Sequence, residues 1–79
     1  MATEIRVPAI ATAREKLSIG RWFKRAGDAV NSNEPIVEIE ADNVTLEIRS
    51  PISGVLTAVY VKDGASVEIG TVLGSISQF

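Results

Sequence analysis

Residues 25–39, RAGDAVNSNEPIVEI, return in altered form at 62–76 as KDGASVEIGTVLGSI. Gly27 aligns with Gly64, Val30 with Val67, Ile36 with Leu73 and Ile39 with Ile76, each pair 37 residues apart. Upstream, IRVP at 5–8 aligns with IRSP at 48–51, 43 residues apart. The two offsets differ by six, so the first copy carries six extra residues, and they fall between Pro8 and Leu17. A duplication within one small domain constrains the fold. Each copy holds about four short strands and cannot bury an apolar face alone. Packed together, the copies form an all-β sandwich or flattened barrel of two four-stranded antiparallel sheets with quasi-two-fold symmetry. That symmetry puts equivalent turns at opposite ends: Asp42–Asn43, where the copies join, at one end, and both chain termini at the other. The six extra residues follow the first strand and belong near the Asp42–Asn43 end.

Local patterning agrees. Val, Ile, Thr and aromatic residues come in short runs broken by Gly, Asn, Asp and Pro. Strands are expected at Glu4 to Val7, Leu17 to Lys24, Pro35 to Glu40, Val44 to Arg49, Val55 to Lys62 and Thr71 to Ser77. Short pairing segments are expected at Ala29–Val30 and Ser66–Val67. Val44 to Arg49 alternates most cleanly, with Val44, Leu46 and Ile48 on one face and Thr45, Glu47 and Arg49 on the other. Trp22 and Phe23 fall in a strand and are expected as packing residues. Gly27–Asp28 and Gly64–Ala65 read as turns whose glycines supply a conformation other residues resist. The segment ATAREKL, 11–17, has no sustained apolar periodicity and reads as a loop containing at most one helical turn.

Composition narrows the chemistry. The 79 residues make one domain, 1–79, with a thin stability margin. The absence of cysteine and histidine excludes disulfides, thiol or imidazole metal ligands and His-based triads. The absence of cysteine fits a reducing compartment or simple indifference to redox. A net charge of −2 and four aromatics argue against a nucleic-acid surface. No apolar run is long enough for a membrane helix, and MATEIRVP does not read as a signal or transit peptide. Seven Glu and three Asp are present without a pair spaced for acid–base catalysis, so no catalytic residue is assigned and no enzyme is expected. Arg14, Lys16, Arg21, Lys24 and Arg25 read as a solvated basic face, and the acceptor-like tripeptide Asn43-Val44-Thr45 as coincidence.

The polar tip between two strands, Ala41-Asp42-Asn43, reads locally as a turn, since both polar side chains bond nearby backbone and Asn tolerates positive φ. Its neighbours give it a second meaning. VPAI at 7–10, IGRWFKRAGDAV at 19–30, NEPIVEIEADNV at 33–44, SPISGVL at 50–56 and VKDGASVEIGTVLGSI at 61–76 stand in the order seen in lipoyl domains. These are the swinging-arm carriers of 2-oxo acid dehydrogenase complexes. The resemblance covers essentially the whole chain, and its texture is nearest the succinyltransferase type of 2-oxoglutarate dehydrogenase. It implies a flattened barrel presenting a hairpin of the form Glu-Thr-Asp-Lys-Val/Ala, whose lysine carries lipoate by an amide bond and moves acyl groups between active sites. It also implies partners: the 2-oxo acid decarboxylase, dihydrolipoamide dehydrogenase and a lipoate ligase, with the isolated domain monomeric. The location it implies is the bacterial cytoplasm or the mitochondrial matrix.

This chain departs from that motif where it matters most. Glu40, Asp42 and Val44 match, Ala41 replaces a threonine, and Asn43 stands at the lysine position. A lysine amine, pKa ~10.4, attacks an activated acyl group as its free base. An amide nitrogen is delocalised into its carbonyl, and the asparagine side chain is short. Asn43 is therefore expected not to accept lipoate, and no cofactor is expected on this chain. The alternative lysines are Lys16, Lys24 and Lys62, of which only Lys16 lies in the inserted loop. A second departure is the loop itself. The resemblance makes 11–16 a partner-recognition loop beside the tip, yet it reads Ala11, Thr12, Ala13, Arg14, Glu15, Lys16 where the family has Gly-Glu-Ser and small residues. Two other readings stay open: a non-carrier interaction module that kept the barrel, and a biotinyl carrier, which Asp42 and Val44 fit poorly because methionines flank the lysine there.

Overall fold

A computed structural model describes residues 2–8, 17–41 and 44–79. Eight strands follow one another: β1 Ala2–Arg6, β2 Leu17–Trp22, β3 Ala29–Val30, β4 Pro35–Ala41, β5 Val44–Arg49, β6 Gly54–Val59, β7 Ser66–Val67 and β8 Val72–Gln78. They form two four-stranded antiparallel sheets, ordered β1-β8-β6-β3 and β5-β4-β2-β7. Among the described residues thirteen apolar side chains close the core between the sheets; of these, Ile19, Ile36, Val37, Ile39, Leu56, Leu73 and Ile76 are no more than 1% exposed. β-branched residues dominate this list, as expected where side chains stand on a half-buried pleated surface.

The backbone reproduces the duplication bond by bond. Gly27 N donates to Leu56 O at 2.7 Å, and Gly64 N to Ile19 O at 2.8 Å, so both partners obey the 37-residue offset. Phe23 N bonds Ile36 O as Tyr60 N bonds Leu73 O. Asn33 N bonds Ser50 O as Gly70 N bonds Val7 O, where one partner shifts by 37 and the other by 43. The change of offset between Val7 and Ile19 places the six-residue insertion in that interval. Sheet register obeys the same rule: Glu4↔Ser75, Ile5↔Gly74 and Arg6↔Val72 correspond to Glu47↔Glu38, Ile48↔Val37 and Arg49↔Pro35, with an irregularity at the same step. Side chains follow: Asn31 N bonds Glu34 Oε1 and Glu68 N bonds Thr71 Oγ1, each closing the equivalent turn.

Two turn positions need left-handed backbone and are equivalent, Asn33 at φ 70° and Gly70 at φ 88°. The expected turn glycines, Gly27 and Gly64, have φ of 100° and 83°. Two strand ends come earlier than the sequence suggests. β2 stops at Trp22 and β6 at Val59, so Phe23 and Tyr60, again equivalent, begin crossing loops and lie exposed. Phe23 is not the packing residue expected; its ring lies instead under the Arg21 guanidinium, 4.8 Å from the centroid. Trp22 is half-buried, packs against the core and donates from Nε1 to Val61 O at 2.9 Å.

Candidate functional site: the β4–β5 hairpin

The β4–β5 ladder runs from Pro35↔Arg49 to Ala41↔Val44, leaving two residues of sequence, Asp42 and Asn43, between its last pair. Asp42, Asn43 and the proposed recognition loop, Ala11, Thr12, Ala13, Arg14, Glu15 and Lys16, lie outside the described residues. Their flanks are well placed. Ala41 is buried and pairs on its other side with Leu17, the first described residue after the inserted segment, and Leu17 in turn pairs with Val67. A row Val44, Ala41, Leu17, Val67 therefore runs across the end of the second sheet. The insertion re-enters the fold one strand away from the hairpin root, the neighbourhood the duplication predicts. At the equivalent place in the first sheet, Ala2 pairs with Ser77, which sets the termini at the opposite end.

Three features shape this end. The root is anchored in the core: Ile39, two residues before Ala41, is fully buried and pairs with both Ile19 and Leu46. Val44 was expected on the buried face with Leu46 and Ile48, which are partly covered, but it is 52% exposed. It ends the edge strand at a sheet corner, where no neighbouring strand of the described residues continues past it. An apolar side chain thus stands uncovered directly beside position 43. The outer face leading to the tip is acidic. Glu38 lies directly opposite Glu47, and Glu40 opposite Thr45 and Ser18. Like charges placed so repel; Arg21 at 3.7 Å from Glu38 and Arg49 at 3.1 Å from Glu47 offset that repulsion. Gly20 belongs to this face, for a Cβ there would come 2.9 Å from Glu38 Cγ and 3.3 Å from Glu40 Cγ.

The donor set does not fit covalent lipoate. Glu40, Ala41 and Val44 offer no amine, and Asn43 offers only an amide. The two lysines among the described residues are elsewhere: Lys24 Nζ is held 3.1 Å from Glu34 Oε2, and Lys62 sits in the turn before Gly64. Among the described residues no group of three or more carboxylates could hold a metal ion. Among the described residues no helix is long and apolar enough to cross a membrane. The arrangement can present a tip on an acidic-faced hairpin whose root is buried; the described residues there include no histidine, cysteine or lysine to act as nucleophile or base.

Comparison with known proteins agrees with this architecture. The chain is 43% identical over 76 residues to the dihydrolipoyllysine-residue succinyltransferase component of the 2-oxoglutarate dehydrogenase complex of Bartonella vinsonii subsp. berkhoffii, covering 96% of this chain and 18% of that protein. The equivalent component in Bacillus subtilis (strain 168) is 37% identical over 75 residues, covering 95% and 18%. The chain thus spans about a fifth of the length of these relatives. The solution structure of the lipoyl domain of the 2-oxoglutarate dehydrogenase complex from Azotobacter vinelandii superposes with a TM-score of 0.76 at 31% identity, covering 94% of this chain and 96% of that one. The urea carboxylase of Kluyveromyces lactis shares the fold, with a TM-score of 0.80 at 19% identity over 98% of this chain and 6% of its own. The Biotin_lipoyl family, described as "Biotin-requiring enzyme", matches residues 3–76. With a duplicated two-sheet barrel, the β4–β5 hairpin at its end and this match over nearly its whole length, the chain belongs to the Biotin_lipoyl family.

Proposed function

We propose that this chain is a lipoyl-type carrier domain of a 2-oxo acid dehydrogenase acyltransferase whose attachment position, Asn43, no longer takes lipoate. The observation that carries the reading is the hairpin itself: the ladder closes at Ala41↔Val44, and Asn43 sits where the family motif has its lysine. The barrel is intact around it, so the change removes the amine and leaves the presentation. Carrier domains work by tethering, which raises the concentration of a group at each active site. Without an amine at position 43 the domain carries no acyl group between the decarboxylase and the dihydrolipoamide dehydrogenase and offers the lipoate ligase no attachment point. The similarity to bacterial succinyltransferases supports 2-oxoglutarate as the 2-oxo acid of the parent complex and the cytoplasm as its location. The isolated domain is monomeric and has no catalytic activity of its own.

The exposed Val44 and the altered residues 11–16 support a second reading, an interaction module that uses the same end for docking alone. The two separate by experiment. Asn43→Lys is offered in parallel to a lipoate ligase and a biotin ligase, and the lipoylated product to a 2-oxo acid decarboxylase with its substrate. Lipoylation without biotinylation, followed by reductive acylation, supports the carrier reading. A variant that neither ligase modifies refutes it and leaves the docking module; biotinylation alone assigns the domain to carboxyl transfer.

A further inference from the structure

The two crossing loops, 23–28 and 60–65, are equivalent under the 37-residue offset and meet at the waist of the barrel, on its pseudo-two-fold axis. Between them is an open depression lined by Trp22, Lys24, Arg25, Ala26, Val59, Lys62 and Asp63. Its floor is apolar, made of the half-buried Trp22 and its equivalent Val59. Its rim is cationic. Arg25 and Lys62 are themselves equivalent, so each copy of the duplicated motif contributes one positive charge to opposite sides of the axis. Both are exposed, and neither has an ion-pair partner among the described residues. Lys24 adds a third charge, shared with Glu34 at 3.1 Å. The single carboxylate in the lining, Asp63, is engaged by the Trp22 backbone N–H at 3.1 Å.

We propose that this waist depression docks an acidic peptide segment of a partner protein, with an apolar side chain on the Trp22–Val59 floor and carboxylates on Arg25 and Lys62. The occupant follows from charge complementarity. The protein as a whole is acidic, and its β4–β5 face carries Glu38, Glu40 and Glu47, so the positive charge left unpaired among the described residues, gathered at one apolar-floored depression, selects a negative partner. A shallow, open site with two flanking cations suits an extended chain more than an enclosed small molecule. The site is also separate from the hairpin end: Trp22 lies five residues along β2 from Leu17, about 16 Å at ~3.3 Å per residue. A partner held at the waist leaves the tip free, so docking there does not depend on the carrier reading.

Trp22, the one tryptophan of the chain, reports occupancy by fluorescence. The probe is a ten-residue peptide alternating Glu with Leu and Phe; controls are its Gln counterpart and a single-stranded oligonucleotide of equal charge. The expected result is saturable quenching or shift of Trp22 emission, with amide shifts confined to 22–26 and 59–64. Binding is about tenfold or more tighter than for the Gln peptide, and weakened about tenfold by Arg25→Glu/Lys62→Glu at unchanged circular dichroism. If that double variant does not fold, Arg25→Gln and Lys62→Gln, each on an exposed side chain, are measured singly for the same loss. Equal affinity for the Gln peptide, unchanged binding by the rim variants, or shifts mapping to the β4–β5 face overturns the proposal. Tighter binding of the oligonucleotide overturns it in favour of a nucleic-acid surface.

Discussion

The duplication makes an energetic prediction that a single fold description does not. Ile39 and Ile76 are equivalent, both are fully buried, and each is the fifth of seven residues in its strand, one in each sheet. Ile39→Ala deletes three buried carbons in a core already closed around them, and such deletions cost about 2–5 kcal/mol from lost transfer and the cavity left behind. A central value of about 3 kcal/mol is a large share of the ~4–12 kcal/mol expected for a domain this size. Urea unfolding followed by Trp22 fluorescence measures it. With m of about 1 kcal/mol/M, the midpoint drops by about 3 M, or the melting temperature by about 12–24 °C. Ile76→Ala should cost the same to within about 1 kcal/mol, because both side chains are fully buried at equivalent positions between the sheets. A loss under about 1 kcal/mol at either site, or a difference above about 2 kcal/mol between them, refutes the claim that the two halves share one core symmetrically.

Further consequences can be checked with equally simple variants. A Cβ at Gly54 would land on the Ser77 carbonyl oxygen, a backbone atom of the adjoining strand, so Gly54→Ala should destabilise by about 3 kcal/mol or prevent folding, as judged by circular dichroism. Asn33 adopts φ 70° where its equivalent is a glycine, so Asn33→Gly should be nearly neutral in a urea melt and Asn33→Ala should cost about 1 kcal/mol. Glu34 is held below its ordinary pKa of 4.5 by the Asn31 backbone N–H and then by Lys24. A depressed folded pKa stabilises above the unfolded value and is lost as pH falls through the folded one, so thermal stability should fall below about pH 4.5. Glu34→Gln should flatten that dependence.

Much of this architecture is legible in the sequence because duplication is written in spacing, and spacing survives substitution. The offsets of 37 and 43 anticipate which amide meets which carbonyl and where the insertion falls. What the sequence hides depends on position at an edge or on one local contact. Val44 alternates correctly with Leu46 and Ile48, yet a strand pattern does not say that β5 is an edge strand and Val44 its corner residue. Phe23 looks like core beside Trp22, but the register of β2 shifts between Ile19 and Arg21, so that Trp22 packs against the core, and the strand ends there, two residues before Lys24. Gly74 is a strand glycine whose role the sequence does not announce: a Cβ there would lie 2.6 Å from the Ala58 carbonyl oxygen and 3.2 Å from the Trp22 ring. At the candidate site, Glu40, Ala41 and Val44 stand at the root of the β4–β5 hairpin. The waist depression is missed because its cations come from segments 37 residues apart whose meeting is a property of the fold.

The central claim is that the hairpin retains the form of a lipoyl attachment site and lacks only the amine at position 43. The most direct measurement is intact mass after incubation with a lipoate ligase, lipoate and ATP, with this chain and Asn43→Lys side by side. The account predicts an unchanged mass for the chain itself and the gain of one lipoyl group by Asn43→Lys. A lipoyl group on the unsubstituted chain would contradict it, and would place the attachment at one of Lys16, Lys24 or Lys62.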